Sequence, residues 1–368
     1  MREDIDDATR ATLEDFGFDR IPFEELRERL VSGALSVERS RVRGRVEPPR
    51  PGDIEQLPAP GAAGYTEARE AGSAALRAGK VASVVLAGGM ATRFGGVVKG
   101  TVEALDGRSF LEWKLGQTAE LSRALGSSVP TVVMTSFQTD AATREHVAAR
   151  GLDEPLWFSQ FVSLRLTPTG GLFRDDEGRV SLYGPGHGDL VDAMRLSGVV
   201  DELALKGVDT VVVSNVDNLG ARLDPVLIGA HLLGGAEMTT EVARKDGDTG
   251  GAPVRVDGKL QLLEGPRFPL GFDQDTVTVF NTNTATFRLD VFSRTWELSW
   301  LVAEKLVEGR PAVQLERLYH ELSAFVPTRY LEVPRHGPRG RFFPIKTPDD
   351  LVLSRDLLRE MLAASVLG

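Results

Sequence analysis

The stretch VASVVLAGGMATRFGGVVKG, residues 81–100, constrains the fold of this chain more than any other. An apolar run is followed by the glycine pair Gly88 and Gly89, then by Arg93 and Lys99. Glycines let backbone N–H groups approach an anion, and nearby cations neutralise the charge that remains. The order therefore predicts a buried parallel strand followed by a loop that binds nucleotide phosphates.

The spacing of this loop does not identify the nucleotide. Neither the G-x-G-x-x-G pattern of dinucleotide-binding folds nor the G-x-x-x-x-G-K-[ST] pattern of P-loops is present. A glycine turn after a strand can also be a simple connection. Arg93 and Lys99 favour the phosphate-binding interpretation, and the missing fingerprint glycines argue against an NAD-dependent dehydrogenase.

The rest of the chain alternates between apolar runs and helical patterns. The first runs predict strands covered on both faces, and the patterns between them predict helices, which is typical of a mostly parallel sheet with helices on both sides. The predicted strands are 81–87, 131–135, 210–214, 238–243, 254–256 and 276–280. The predicted helices are 67–79, 110–125, 140–149, 190–206, 285–309, 311–324 and 348–364.

We divide the chain into three parts. Residues 1–43 read as a helical N-terminal arm, and residues 44–64, with five prolines, read as an extended connection without elements of its own. Residues 65–335 are predicted to form the main α/β domain. Residues 336–368 form a C-terminal segment that closes with a helix.

Composition excludes several classes of function. The net charge of −10 argues against a general nucleic-acid binder, which needs a cationic face. The absence of cysteine excludes disulfides, thiolate catalysis and cysteine-ligated zinc, and it fits a reducing compartment. The acidic start MREDIDDATR is unlike a secretory signal, and no run approaches the roughly 18 apolar residues of a membrane span. We therefore expect a cytoplasmic protein without a membrane or nucleic-acid partner.

Two further clusters are candidates for chemistry. In YGPGHGD, residues 183–189, glycines and a proline impose a tight turn around His187, although a lone histidine is usually a surface or capping residue and Asp189 is a candidate N-cap. In VVVSNVDNLG, Asp217 follows a buried strand, where open α/β sheets bind ligands. An Asn/Asp-rich turn is the plain alternative there. Together with the loop at 88–99, Asp217 favours a Mg²⁺ site.

These residues resemble the UDP-glucose pyrophosphorylase family, within a wider group that includes UDP-N-acetylhexosamine and UDP-sugar pyrophosphorylases. The resemblance runs from about residue 81 to about residue 360. It is carried by LAGGMATRFGGVVKG, MTSFQTDAATREH, FSQ, YGPGHGDL, VSNVDNLGARLD, GGAPVRVDGKLQLLE, FNTNT and RFFPIKTPDDLVL. It implies a Rossmann-like, glycosyltransferase-A-type nucleotidyltransferase fold, without the family's C-terminal β-helix, so no oligomeric state carries over.

The resemblance also implies roles for individual residues. Arg93, Lys99, Asp217 and Lys346 would be catalytic, with Asp217 holding Mg²⁺. The nucleotide, UTP, would contact Leu86, Ala87, Gly88, Gly89, Gln160, Pro185, Gly186 and His187. The sugar would contact Asn215, Gly251, Glu264, Asn281 and Asn283. Arg93 and the lack of a proline before Lys99 depart from the eukaryotic pattern, so the phosphate contacts are expected to differ there.

The implied reaction is attack of a sugar 1-phosphate oxygen on the α-phosphorus of UTP, with release of pyrophosphate. Such chemistry needs positioning and charge neutralisation rather than a covalent intermediate. Glucose 1-phosphate is the expected substrate. Another hexose, an N-acetylhexosamine or a cyclitol 1-phosphate, with UTP or another nucleoside triphosphate, is the alternative within this class, and a non-catalytic nucleotide-sugar sensor is the alternative outside it.

Overall fold

The structure is a computed structural model that describes residues 5–91, 95–343, 345 and 347–363. Within these residues the helices are α1 (Asp7–Asp15), α2 (Phe23–Val31), α3 (Tyr65–Arg77), α4 (Phe110–Leu125), α5 (Asp140–Ala149), α6 (Leu190–Leu196), α7 (Val199–Leu205), α8 (Pro225–Gly234) and α9 (Pro348–Ala363). The strands are β1 (Val46–Glu47), β2 (Glu55–Gln56), β3 (Val81–Leu86), β4 (Met90–Ala91), β5 (Val97–Val98), β6 (Glu103–Leu105), β7 (Arg108–Ser109), β8 (Thr131–Thr135), β9 (Leu156–Ser159), β10 (Ser163–Leu164), β11 (Leu182–Tyr183), β12 (Thr210–Asn215), β13 (Met238–Arg244), β14 (Ala252–Val256), β15 (Lys259–Leu263), β16 (Val279–Arg288), β17 (Leu301–Val307), β18 (Arg310–Glu316) and β19 (Thr328–Glu332).

Eight of these strands form one central sheet, in the order β2-β19-β13-β16-β12-β3-β8-β9. Strand β16 is antiparallel to its two neighbours, β13 and β12. All other neighbouring pairs in the sheet are parallel. The mixed, mostly parallel sheet predicted from the sequence is therefore confirmed.

Both faces of the central sheet are covered. Consecutive residues of a strand point to opposite faces, so neighbouring residues of β3 pack in different clusters. Val84 packs in an apolar cluster with Leu190 of α6. Its neighbour Val85 packs in a second cluster with Leu111 of α4 and Leu358 of α9. Burial on both sides explains why β3 is apolar along almost its whole length.

The N-terminal part is joined closely to this core. Leu13 of α1 and Leu26 of α2 lie in the same cluster as Val84. The prediction that 44–64 has no elements of its own is wrong, because β1 pairs with β14 and β2 pairs with β19. Neither short strand contains any of the five prolines, so their backbone N–H groups are free to pair.

Most predicted elements are present with small shifts at their ends. The predicted helices at 67–79, 110–125, 140–149 and 348–364 correspond to α3, α4, α5 and α9. The predicted helix at 190–206 is two helices, α6 and α7, because Gly198 between them has a φ of 82°. Among the described residues, no helix is both long and apolar enough to cross a membrane.

The predicted helices at 285–309 and 311–324 are wrong. These residues form the end of β16, the hairpin β17–β18 and two short 3₁₀ segments, Leu289–Ser293 and Tyr319–Ala324. In the hairpin Val307 pairs with Arg310, and the two turn residues Glu308 and Gly309 have φ angles of 51° and 72°. Two consecutive positive φ angles are the geometry of a tight hairpin turn and are incompatible with a helix.

Candidate active site

The carboxyl ends of β3 and β12 lie side by side at one edge of the sheet. Their last residues, Leu86 and Asn215, are partners in the parallel register, and the Val216 N–H donates to Leu86 O at 3.0 Å. The Leu86 and Ala87 side chains are buried, and the Ala87 N–H donates to Met134 O at 2.8 Å. The loops that follow β3 and β12 therefore begin next to each other.

An ion pair joins these two loops. The Lys99 ammonium donates a hydrogen bond to Asp217 Oδ2, and the side chains are 22% and 12% exposed. The Lys99 N–H donates to Gly89 O at 3.3 Å, which brings the end of the glycine loop beside its start. The structure thus brings together two of the predicted catalytic residues. The other two, Arg93 and Lys346, lie outside the described residues.

Asp217 presents a single carboxylate to the site. In the part of the chain that the structure describes, no group of three or more His, Cys, Asp or Glu side chains is arranged to hold a metal. Mg²⁺ usually binds through one or two carboxylates together with substrate phosphates and water. The donors present therefore fit a Mg²⁺ ion that binds with a nucleotide, and not a metal held by protein ligands alone.

The Gln160 side chain lies close to Gly88 and Gly184, and the lack of side chains at these two positions leaves room for it. A Cβ on Gly184 would lie 2.0 Å from Gln160 Nε2, and a Cβ on Gly88 would lie 3.3 Å from Gln160 Cδ. The Gln160 N–H donates to Thr135 O at 3.0 Å, which fixes its backbone at the end of β8. The amide is therefore held beside the glycine loop, where the resemblance expects a base to be recognised.

Arg317, just after β18, holds the loop 184–188 in place. Its N–H donates to Pro185 O at 2.7 Å, and its carbonyl accepts from the Gly188 N–H at 2.8 Å. A Cβ on Gly186, whose φ is 92°, would lie 2.6 Å from the Arg317 carbonyl oxygen. This close approach explains why the loop contains glycine at this position.

Asp189 acts in this loop as a buried anion rather than as a capping side chain. It stands at the N-cap position of α6 but makes no side-chain capping bond. Its carboxylate accepts from the Phe161 N–H at 3.0 Å and from the Arg317 guanidinium at 2.6 Å. Burial raises the pKa of Asp189 to about 6, and Arg317 opposes that rise. Asp189 therefore fixes the conformation of the loop that carries His187.

His187 is a neutral hydrogen-bonding group in this site. Its Nδ1 accepts from the Tyr319 N–H at 3.3 Å, and its ring contacts the Tyr319 ring edge-on at 4.9 Å between centroids. Burial lowers the pKa of His187 to about 4. Because Nδ1 accepts a hydrogen bond, the ring proton of the neutral form is on Nε2, which is a donor suited to an anion.

A second polar cluster adjoins the phosphate loop and contains all five predicted sugar contacts. Asn283 Nδ2 donates to Asn215 Oδ1 at 2.7 Å, and the Asn283 N–H donates to Asn281 Oδ1 at 3.0 Å. Asn281 Nδ2 donates to Glu264 Oε1 at 3.2 Å, and its N–H donates to Gly251 O at 2.8 Å. A Cβ on Gly251 would lie 2.5 Å from Glu264 Oε2, so a larger residue here would displace the Glu264 carboxylate.

Glu264 and its neighbours give this cluster both hydrogen-bond donors and acceptors. Burial raises the pKa of Glu264 to about 7, while the bond from Asn281 and the charge of Arg267 oppose that rise. Carboxamides and a carboxylate in one pocket are the groups that bind several hydroxyls of a sugar.

Besides Arg317, two further buried residues of the site were not predicted from the sequence. Tyr319 contacts both halves, since its N–H donates to His187 and its hydroxyl donates to Asn283 O at 3.2 Å. Lys114 lies behind β12, where its ammonium donates to Ser214 Oγ at 3.1 Å, and burial lowers its pKa to about 7. The spacing of Lys114 with the core leucines of α4 was a usable signal, because a charge on an apolar helix face needs a buried partner.

Comparisons with known proteins identify the family of this chain. The family model for UTP--glucose-1-phosphate uridylyltransferase matches residues 24–365. A relative of that name from Saccharomyces cerevisiae is 32% identical over 305 residues, which are 76% of this chain and 60% of the relative. The chain spans about three fifths of the length of the relatives that it matches.

Solved structures share the fold. A uridine diphosphate N-acetylglucosamine pyrophosphorylase from Trypanosoma brucei matches with a TM-score of 0.74 at 21% identity. The match covers 95% of this chain and 79% of the pyrophosphorylase chain. A UDP-glucose phosphorylase from the same organism matches with a TM-score of 0.74 at 21% identity. That match covers 93% of this chain and 77% of the phosphorylase chain. The predicted nucleotidyltransferase fold is thereby confirmed.

Proposed function

Because the chain belongs to the UTP--glucose-1-phosphate uridylyltransferase family, we propose that it makes a UDP-sugar and pyrophosphate from UTP and a sugar 1-phosphate, with glucose 1-phosphate preferred. The observation that supports this most lies at the end of β12. Asn215 is hydrogen-bonded to Asn283 in the sugar cluster, while Asp217, two residues further on, is paired with Lys99 of the phosphate loop. A phosphate group that joins a nucleotide to a sugar would lie between these two side chains.

In the proposed reaction, an oxygen of the sugar 1-phosphate forms a bond to the α-phosphorus of UTP as the bond to pyrophosphate breaks. The oxygen nucleophile is already ionised, so no general base is required. Lys99 reduces the repulsion between the two polyanions, and the Nε2–H of His187 donates to a phosphate oxygen. Positioning and charge neutralisation of this kind supply most of the rate in phosphoryl-type transfers.

We further propose that Asp217 holds Mg²⁺ when the nucleotide is bound. The metal would supply charge stabilisation at the phosphates. The ion pair with Lys99 supports this role, because it places the Asp217 carboxylate beside the loop that is proposed to bind the phosphates. Arg93 and Lys346 stay predictions for the same phosphates.

The nucleotide base would be recognised by Gln160, with the backbone of Pro185 and Gly186 beside it. The position of the Gln160 amide between Gly88 and Gly184 supports this role. The sugar hydroxyls would bind Glu264 and the carboxamides around it. We also propose a cytoplasmic location, which the absence of cysteine supports through its fit to a reducing compartment.

A direct assay tests the proposal. The full chain is incubated with Mg²⁺, each nucleoside triphosphate in turn and a panel of hexose, N-acetylhexosamine and cyclitol 1-phosphates, and pyrophosphate release is measured. We expect release with UTP and glucose 1-phosphate, and loss of release when a chelator removes Mg²⁺. Preference for another sugar would correct the substrate, and no release with any pair would refute the proposed activity.

A further inference from the structure

His320 lies beside the polar cluster of the five predicted sugar contacts and is fully buried. Its exposure is 0%, and neither Nδ1 nor Nε2 has a hydrogen-bond partner among the residues that the structure describes. Buried polar groups are nearly always paired, because burying one without a partner is costly. An orphaned pair of nitrogens at this position therefore needs a functional explanation.

The polar group that faces Nδ1 of His320 is the Glu264 carboxylate. The distance from His320 Nδ1 to Glu264 Oε1 is 3.7 Å, slightly longer than a hydrogen bond. The ring is held by stacking on Tyr319, with 4.0 Å between centroids, and by an edge-on contact with His187 at 6.0 Å. Hydrogen bonds of this type are often long in a ligand-free site and shorten when substrate binds.

The surroundings of His320 and Glu264 favour a neutral His320 ring beside a Glu264 carboxyl group that can ionise. Burial lowers the pKa of His320 well below its usual value, and His187 lowers it further. Glu264, 17% exposed, has a pKa of about 7, with Arg267 as the facing cation and Tyr319 as the facing hydroxyl. A neutral imidazole has one N–H, and placing it on Nδ1 would give that nitrogen a partner and favour the ionised form of Glu264.

We propose that His320 is a positioning residue that donates a hydrogen bond from Nδ1 to Glu264 Oε1, and so holds the carboxylate ionised and oriented to accept sugar hydroxyls. Asn281 already donates to the same oxygen at 3.2 Å. Two donors on Oε1 leave Oε2 for the ligand. This inference rests on the sugar-binding part of the proposed function.

Three substitutions of His320 separate hydrogen bonding from packing. In His320→Asn the amide nitrogen can replace Nδ1, in His320→Gln it can replace only Nε2, and in His320→Leu no donor remains. Calorimetry measures the affinity of each variant for UDP and for UDP-glucose. The ratio of the two affinities gives the contribution of the glucose group to binding. We expect His320→Leu and His320→Gln to lower this ratio about tenfold, and His320→Asn to keep it within about twofold. The affinity for UDP should stay unchanged in all three.

Two measurements on the wild-type chain keep the proposal testable if a variant fails to fold. Nitrogen-15 NMR should show a neutral His320 ring with its proton on Nδ1, and the UDP-glucose to UDP affinity ratio should fall as Glu264 is protonated at acidic pH. In His320→Leu the midpoint of that fall should move up by about one pH unit, because the carboxylate has lost a donor.

Several results would overturn the proposal. These are equal losses in His320→Asn and His320→Gln, a proton on Nε2 alone, or a wild-type chain that binds UDP-glucose no more tightly than UDP. If the affinity ratios behave as expected but no pyrophosphate is released with any substrate pair, the proposed activity fails while the role of His320 stands.

Discussion

Replacing Gly184 by alanine should damage base recognition through a collision with Gln160. The new Cβ would lie 2.0 Å from Gln160 Nε2, whereas ordinary van der Waals contacts begin at 3.4 Å, so the amide nitrogen must retreat by about 1.4 Å, the difference between these distances. A hydrogen bond does not survive a displacement of that size. An unmatched buried polar group costs about 1–3 kcal/mol, which corresponds to roughly a 5- to 150-fold rise in KM for UTP.

Two other glycines provide graded controls for this experiment. A Cβ on Gly88 would lie 3.3 Å from Gln160 Cδ, so Gly88→Ala should raise KM for UTP only about two- to fivefold. A Cβ on Gly100, in the same phosphate loop, meets its nearest atom at 3.6 Å, so Gly100→Ala should behave like the wild type. Steady-state pyrophosphate release with UTP and CTP measures both KM and base preference, and thermal unfolding confirms that each variant is folded.

The effects of the three substitutions on KM for UTP must follow a fixed order. Gly184→Ala must be the most affected, Gly88→Ala intermediate and Gly100→Ala unaffected. A folded Gly184→Ala variant with KM for UTP within twofold of the wild type and an unchanged preference for UTP over CTP would show that Gln160 does not read the base.

Three further perturbations test other parts of the site. Asp217→Asn should lower turnover in the pyrophosphate assay roughly 100-fold or more. The control is Asp209→Asn, because Asp209 lies at the opposite end of β12 and pairs with Lys80 at 3.2 Å, and it should change turnover less than twofold. Arg341→Met should lower the free energy of unfolding in urea by about 3–5 kcal/mol, because the fully buried Glu241 loses two hydrogen bonds of 2.5 and 2.8 Å, and adding Glu241→Leu should recover most of that loss. Glu264→Gln should gain stability relative to the wild type as pH rises from about 4.5 to about 7. In this window the raised pKa of Glu264 makes the folded wild type bind a proton that the unfolded chain releases, so the wild type loses stability while the variant does not. Urea unfolding measures the difference in free energy between the two chains, and a constant difference across the window would contradict the prediction.

The nucleotide half of the site was partly predictable because its residues follow buried strands directly. Gly88 comes just after β3 and Asp217 just after β12, and parallel strands place such loops at one edge. The sugar half has no such local signature. Asn215 and Asn283 are 68 positions apart, and only the pairing of β12 with β16 brings them to 2.7 Å. The resemblance to a known family supplied those residues, and patterning alone could not.

The wrong helices show where composition misleads. Residues 301–316, LVAEKLVEGRPAVQLE, are rich in the Leu, Ala, Glu and Lys that favour helices. The signal for a hairpin was the pair Glu308-Gly309 between two apolar runs, since glycine readily adopts the positive φ of a tight turn. Because Arg317 and Tyr319 follow this hairpin, the same error hid both residues from the prediction of the site.

Strand β16, which is antiparallel to both of its neighbours in the central sheet, has a consequence for how substrate preference can change. Gly251 and Glu264 lie in the excursion between β13 and β16, whose ends are joined by the bond from the Lys245 N–H to Thr278 O at 2.9 Å. Strand β16 then enters the sheet at Val279, beside Arg244, and carries Asn281 two residues further on, at the edge where the parallel strands leave the sheet. Two of the five proposed sugar contacts thus lie in one contiguous segment that is closed at its base, apart from the loops that are proposed to bind the nucleotide. A relative's excursion could be transplanted here to change the sugar while the nucleotide stays the same.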